Sequence, residues 1–318
     1  MATPLTAVLK LLLAAVAASL LSFSAGAADQ PVAQVPFSIG YGGWFTVSVA
    51  VNGRGPYDFI IDTGATQSLV FENLARTHDF PLSGGSPRTV LGLAAAGSFP
   101  PYRVGEISIA EGVRLRDHEC VVLDDWTVER ASPQGVIGLD LLRRFTLVFD
   151  AGTKELSFYA AGADVGIPKN WREIKLEPRD FGVASGELYT LNAYLGRAAI
   201  PFLLDLGASG TIINYPAVRK YSNQYRTIEY GLYPTRARQR IIDALGKTDT
   251  VQAYKVRRIK AGDAVWRNAV VYAHPAYIFD DLGVVNQPFG LFGSDMLAGR
   301  SFLIDFSGRR MLVGPAPR

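Results

Sequence analysis

Cysteine is nearly absent from this 318-residue chain: Cys120 stands alone and can close no disulfide within it. Histidine is almost as scarce. His78, His118 and His274 show no HExxH or comparable spacing, so metal catalysis lacks its usual ligands. The one run of ligand types, Asp117-His118-Glu119-Cys120, leads into Val121-Val122-Leu123 and reads as the start of a strand whose side chains point to alternate faces. No metal and no cofactor is expected. Charge is sparse too, at 19% of residues, and nearly balanced, with 32 basic against 29 acidic residues and a formal net of +3. Nucleic acid, which needs a dense basic surface, is thereby excluded as a partner. Long apolar runs are missing after the first residues. Lys10 precedes a largely apolar run from Leu11 to Phe23, and Ala25-Gly26-Ala27 follows, which is the layout of an export signal over residues 1–27. That run is shorter than the ~20 residues of a spanning helix, so the mature chain is expected in the periplasm or the medium, without stable membrane insertion.

What the chain does have is core-forming material: 48% of residues fall in the AVILMFWYC set, with 32 Gly and 18 Pro for turns. Its length is enough for two lobes. Short β-branched or aromatic runs, such as Phe45–Val51, Phe145–Phe149, Leu188–Leu195 and Val265–Val271, alternate with Gly, Pro, Asn and Asp turns and predict an all-β fold. Only short helices are predicted, over Glu72–Thr77 and Leu139–Arg144.

Comparing the chain with itself is more informative than its composition. Residues 53–70 (GRGPYDFIIDTGATQSLV) align without a gap with residues 196–213 (GRAAIPFLLDLGASGTII). Val136-Ile137-Gly138-Leu139-Asp140-Leu141-Leu142 then recurs as Leu291-Phe292-Gly293-Ser294-Asp295-Met296-Leu297, and Leu147-Val148-Phe149-Asp150 as Leu303-Ile304-Asp305 behind an apolar residue. Three landmarks in one order point to duplication and fusion. The Gly- and Pro-containing stretch between Tyr159 and Arg172 is the natural joint, giving lobes over 28–165 and 166–318. The halves differ in charge: 11 basic and 16 acidic residues from Asp29 to Trp171, 20 and 13 from Arg172 onward. The lobes should attract each other.

Each repeat carries an aspartate directly after an apolar strand and before a glycine, at Asp62-Thr63-Gly64 and Asp205-Leu206-Gly207. One such tripeptide is often a turn former. Two of them, related by a pseudo-two-fold axis, would bring two carboxyls face to face. Carboxyls at that range share a proton, so one serves as base and the other as acid, and together they can activate water against a carbonyl.

The segment Phe59-Ile60-Ile61-Asp62-Thr63-Gly64-Ala65, with Val136-Ile137-Gly138 near the end of the same half, resembles the retropepsin-like branch of the aspartic proteases. The resemblance covers both halves and implies a bilobal, pseudo-two-fold symmetric fold built from tandem repeats, acting as a monomer with an internal pseudo-dimer. It also implies Asp62 and Asp205 as the catalytic pair, with Thr63, the turn glycines Gly64 and Gly207, and Gly138 and Gly293 in support. The expected activity is hydrolysis of polypeptide by an exported aspartic endopeptidase. The second motif departs from the family, in which the Thr after each Asp grips the opposite turn. Leu206 cannot do so, and a catalytically impaired pseudoprotease that only binds peptides is the alternative. A glycosidase is disfavoured because its carboxyls must stand apart around a sugar.

A flap over the substrate is expected in Leu91–Gly97, with Gly92, Ala95 and Gly97 as its contact residues, and its counterpart at Ile242–Lys247. Although the latter runs into Gly246-Lys247-Thr248, the upstream Gly of a phosphate loop is missing, with Ile241 in its place. The run from Tyr215 to Arg240, with five tyrosines and six basic residues, reads as surface or as a rim for acidic or extended peptides.

Overall fold

The computed structural model describes residues 28–40, 42–92, 96–125, 133–182, 186–224, 233–242, 245 and 248–316. The export signal expected over 1–27 lies outside them. In chain order the first half contributes β1 (Ala33–Ile39), β2 (Phe45–Val51), β3 (Arg54–Ile61), β4 (Leu69–Phe71), β5 (Arg88–Leu91), β6 (Ala96–Phe99), β7 (Pro101–Ala110), β8 (Val113–Leu123), β9 (Gly135–Ile137), β10 (Phe145–Asp150) and β11 (Glu155–Ala160). The second contributes β12 (Arg172–Lys175), β13 (Glu177–Arg179), β14 (Leu188–Leu195), β15 (Ala198–Leu204), β16 (Ile212–Ile213), β17 (Tyr233–Ile242), β18 (Thr248–Ala261), β19 (Ala264–Ala273), β20 (Gly290–Phe292), β21 (Phe302–Asp305) and β22 (Arg310–Val313). The helices are short: α1 (Glu72–His78), α2 (Leu139–Leu142), α3 (Tyr215–Gln224) and α4 (Tyr277–Asp281). Among the described residues no helix is long and apolar enough to cross a membrane.

The protein is all-β and bilobal. In the first lobe the order β2-β3-β9-β4-β8-β7 closes through a β2–β7 pairing, and in the second β14-β15-β20-β16-β19-β18 closes through β14–β18, giving one six-stranded barrel per lobe. Local sequence explains the barrel's first hairpin. β2 alternates buried and more exposed positions, and the turn residues Asn52 and Gly53 both take positive φ (48° and 73°), which matches the twist of a tight hairpin.

β3 ends differently, with Phe59, Ile60 and Ile61 all buried because β9 runs parallel beside it at the centre of the lobe. Phe59 and Ile61 face the main core. Ile60 faces outward into a smaller apolar cluster with Trp44, Leu69, Phe71, Val121, Leu123 and Val136. The second lobe repeats the crossing residue for residue: Phe59 lies opposite Gly135 and Ile61 opposite Ile137, as Phe202 lies opposite Gly290 and Leu204 opposite Phe292.

The lobes meet in a six-stranded antiparallel layer, β12-β22-β21-β10-β11-β1, three strands from each half. Its central seam is β10 against β21, with Leu147 opposite Ile304 and Phe149 opposite Phe302. The third landmark of the duplication therefore pairs with its own copy across the axis.

Candidate active site

Asp62 and Asp205 are carried to the cleft by the ends of β3 and β15. The main chain fixes both turns in the same way: the Asp62 N–H donates to the Ile137 carbonyl at 3.0 Å, and the Asp205 N–H to that of Phe292 at 3.0 Å. Under each turn passes a glycine. A Cβ on Gly138 would stand 2.6 Å from the Gln67 carbonyl carbon, and one on Gly293 2.7 Å from that of Gly210, so only glycine fits. Gly64 and Gly207 are needed for a related reason. A Cβ on Gly64 would meet the Asp205 carboxyl at 2.7 Å, and one on Gly207 would run into that of Asp62. Each turn glycine makes room for the aspartate of the other lobe.

The two carboxyls are in hydrogen-bond contact, each enclosed by protein although the residues as a whole are half-buried. Burial raises the proton affinity of both. Asp205 rises well above the usual carboxylate range, first through burial and then through the charge of Asp62. Asp62 is raised by burial too, but the Gly64 N–H, donating to its Oδ1 at 2.7 Å, and the hydrogen bond with Asp205 both favour its charged form. Asp205 has a donor of its own in the Ala208 N–H at 2.9 Å.

Thr63 is fully buried and spans the lobes: its hydroxyl donates to the Leu204 carbonyl at 2.8 Å and accepts from the Leu206 N–H at 3.0 Å. Leu206 is fully buried as well and returns no such pair, so the grip is one-sided. The lobes also touch through a symmetric pair of loops. Gly43 lies against Ser209, and Gly186 against Thr66, each at the other lobe's turn and both related by the shift that aligns Gly53 with Gly196.

Two further residues per lobe support the site, and the sequence reading assigned them no role. The Ser68 hydroxyl donates to Asp140 Oδ1 at 2.7 Å and accepts from the Gly138 N–H at 3.0 Å. The Thr211 hydroxyl does the same with Asp295 Oδ1 at 2.7 Å and the Gly293 N–H at 3.1 Å. The signal was present, since Ser68 and Thr211 are hydroxyl residues at matching places of the repeat and Asp140 and Asp295 are matching members of its second block.

Of the flap residues, Gly97 lies in β6 and pairs with Val90 of β5, while Gly92 is buried at the end of that separate two-stranded hairpin. Ala95 lies outside the described residues. The hairpin packs through Val90 and Phe99 on the smaller apolar cluster, on which Ala65, next to the turn glycine Gly64, also packs. From the second lobe Leu245, at the turn between β17 and β18, packs on the same cluster. The tyrosine-rich run is corrected in part: Tyr215–Gln224 forms α3, and Tyr221 is buried in the core and cannot serve a rim. The side chains of 222–242 lie outside the described residues.

Two fused six-stranded barrels, with an aspartate at a strand end and a glycine beneath it in each, are consistent with a bilobal aspartic protease fold. The family model described as Aspartyl protease matches residues 47–141, from β2 into α2, and so covers the first aspartate turn and the glycine beneath it. No curated protein matches the chain.

Proposed function

We infer that the protein is an exported aspartic endopeptidase that cleaves polypeptide with water activated between Asp62 and Asp205. The observation that carries this reading is the direct contact of two carboxyls whose proton affinities are both raised, so that the pair keeps one proton while the other carboxyl is charged. The ionised carboxylate takes a proton from water as its oxygen attacks the peptide carbonyl carbon. The protonated carboxyl gives its proton to the carbonyl oxygen, and the tetrahedral intermediate collapses with a proton passed to the leaving nitrogen, yielding an acid and an amine. Gly92 and Gly97 belong to the hairpin that would cover the substrate.

The peptide-binding pseudoprotease rests on Leu206. Against it stands Thr63, whose hydroxyl alone serves both a donor and an acceptor of the opposite turn. The purified protein should cleave an unfolded polypeptide and be blocked by a statine-type peptide. Asp62→Asn and Asp205→Asn should each abolish cleavage, and equal rates in the parent and Asp62→Asn would rule out this dyad. Recovery of the processed chain from a periplasmic or culture fraction tests export.

A further inference from the structure

The clamp that holds Gly138 differs from its copy in the other lobe by one titratable side chain. In the second lobe the Thr211 carbonyl accepts the backbone N–H of Tyr272 at 2.8 Å. In the first, the Ser68 carbonyl is met at 3.3 Å by Nε2 of His118, a ring carried on β8. The same nitrogen stands 3.8 Å from Asp140 Oδ2. The two oxygens of Asp140 are in unlike situations. Oδ1 accepts from the Ser68 N–H, the Ser68 hydroxyl and the Leu141 N–H, whereas Oδ2 is buried and has no hydrogen-bond partner among the described residues. A buried carboxylate oxygen without a donor is costly, and the group facing it is one that can gain a proton.

We propose that His118 is a positioning residue for the proposed hydrolysis: on taking a proton it engages Asp140 Oδ2, and through Asp140 and Ser68 it tightens the clamp on Gly138 and the turn that carries Asp62. This role presupposes the hydrolysis proposed above, since it concerns that same site. Among the described residues the charged groups that act on the ring are few. Asp140 favours the charged ring, while Arg88 at the base of the flap hairpin and Arg144 after α2 oppose it. Glu119, next to His118 on β8, faces Arg88 and Arg103 at 3.7 Å each, and the buried Cys120 thiol, pushed up to about 12, stays neutral. Burial outweighs the attraction of Asp140 and lowers the ring's proton affinity, so the clamp closes on the acid side of neutrality, where the dyad also holds its proton.

The test is kcat and KM across pH for the parent and His118→Gln, which keeps a donor but takes no charge, with circular dichroism to confirm folding. At the acid end kcat of His118→Gln should fall on the order of 3- to 10-fold with KM little changed, and the difference should vanish as pH rises. Asp140→Asn should show the same loss, and the double variant no more. Independently, in the silent Asp62→Asn background, the His118 ring is titrated by NMR with and without Asp140→Asn, which should lower its midpoint further. Parallel profiles for parent and His118→Gln at every pH, or an unmoved midpoint, would overturn the proposal. If the parent cleaves nothing, the function above fails, and the NMR midpoint still decides whether His118 and Asp140 are coupled.

Discussion

A dyad of this kind works only while Asp62 and Asp205 hold one proton between them. As pH falls through the midpoint of Asp62 the base is lost, and as it rises through that of Asp205 the acid is lost. Both midpoints are raised, so the window of the proposed hydrolysis should lie above that of an unshifted pair, and weakly acidic pH extending toward neutral is the expected range. The residues after the turn glycines, Ala65 and Ala208, offer only backbone N–H groups and no hydroxyl to favour the charged form. A profile of kcat/KM decides this: a sharp maximum at about pH 2 to 3 with no activity at about pH 6 would contradict it, by the contrast between pepsin and a retroviral protease. Ala65→Ser should move the acid limb downward. The same shifts have a sign for stability. An aspartate whose folded proton affinity exceeds its unfolded one favours the fold below the unfolded pKa of 3.8, and that contribution is lost as pH rises. Asp205→Asn should therefore raise Tm by roughly 1 to 3 °C at neutral pH and leave it unchanged in acid, which thermal melts at the two pH values will show.

The turns and the strands beneath them form the next scale. Thr63 makes two hydrogen bonds across the axis, so Thr63→Val should cost about 1 to 3 kcal/mol in denaturant unfolding and loosen both turns. Leu206→Thr should change kcat/KM by no more than roughly 5-fold, the worth of one net hydrogen bond. Activity appearing from nothing in that variant would instead favour the peptide-binding reading. Much of this layer was legible because the chain states it twice: the aspartates, their glycines and Gly138 with Gly293 stand out by recurrence, where one copy would have read as a turn. The Ser68–Asp140 clamp was harder to see, since its members are 72 residues apart and meet only when β9 crosses beside β3. His118 read as the start of a strand because no local pattern shows that β8 runs beside β4 and the turn. Helix α3 had a signal that its tyrosines and basic residues obscured: Asn214 caps it, accepting from the Ala217 N–H at 3.0 Å, and Pro216 follows in the first turn.

For the whole molecule, what joins the lobes decides whether the dyad can exist at all, since each lobe supplies one carboxyl. The opposite net charges of the halves suggested electrostatic attraction, yet among the described residues no ion pair links one lobe to the other. The seam is backbone pairing and aromatic packing. Phe302 of the second lobe stacks on Phe149 of the first with ring centres 4.4 Å apart and also meets Phe45 at 5.4 Å, and all three are buried. Truncating such a ring typically costs about 3 to 5 kcal/mol, through lost burial and the cavity left behind. Phe302→Ala should therefore destabilise both lobes as one unit, seen as a single cooperative transition at lower denaturant, with the fall in kcat/KM tracking the loss of folded protein. Because apolar packing is not screened by ions, added salt between about 0.05 and 0.5 M should not separate the lobes. Two resolved transitions in Phe302→Ala, with only the second lobe displaced, would show that the barrels are stable independently and that the seam contributes little to holding Asp62 against Asp205.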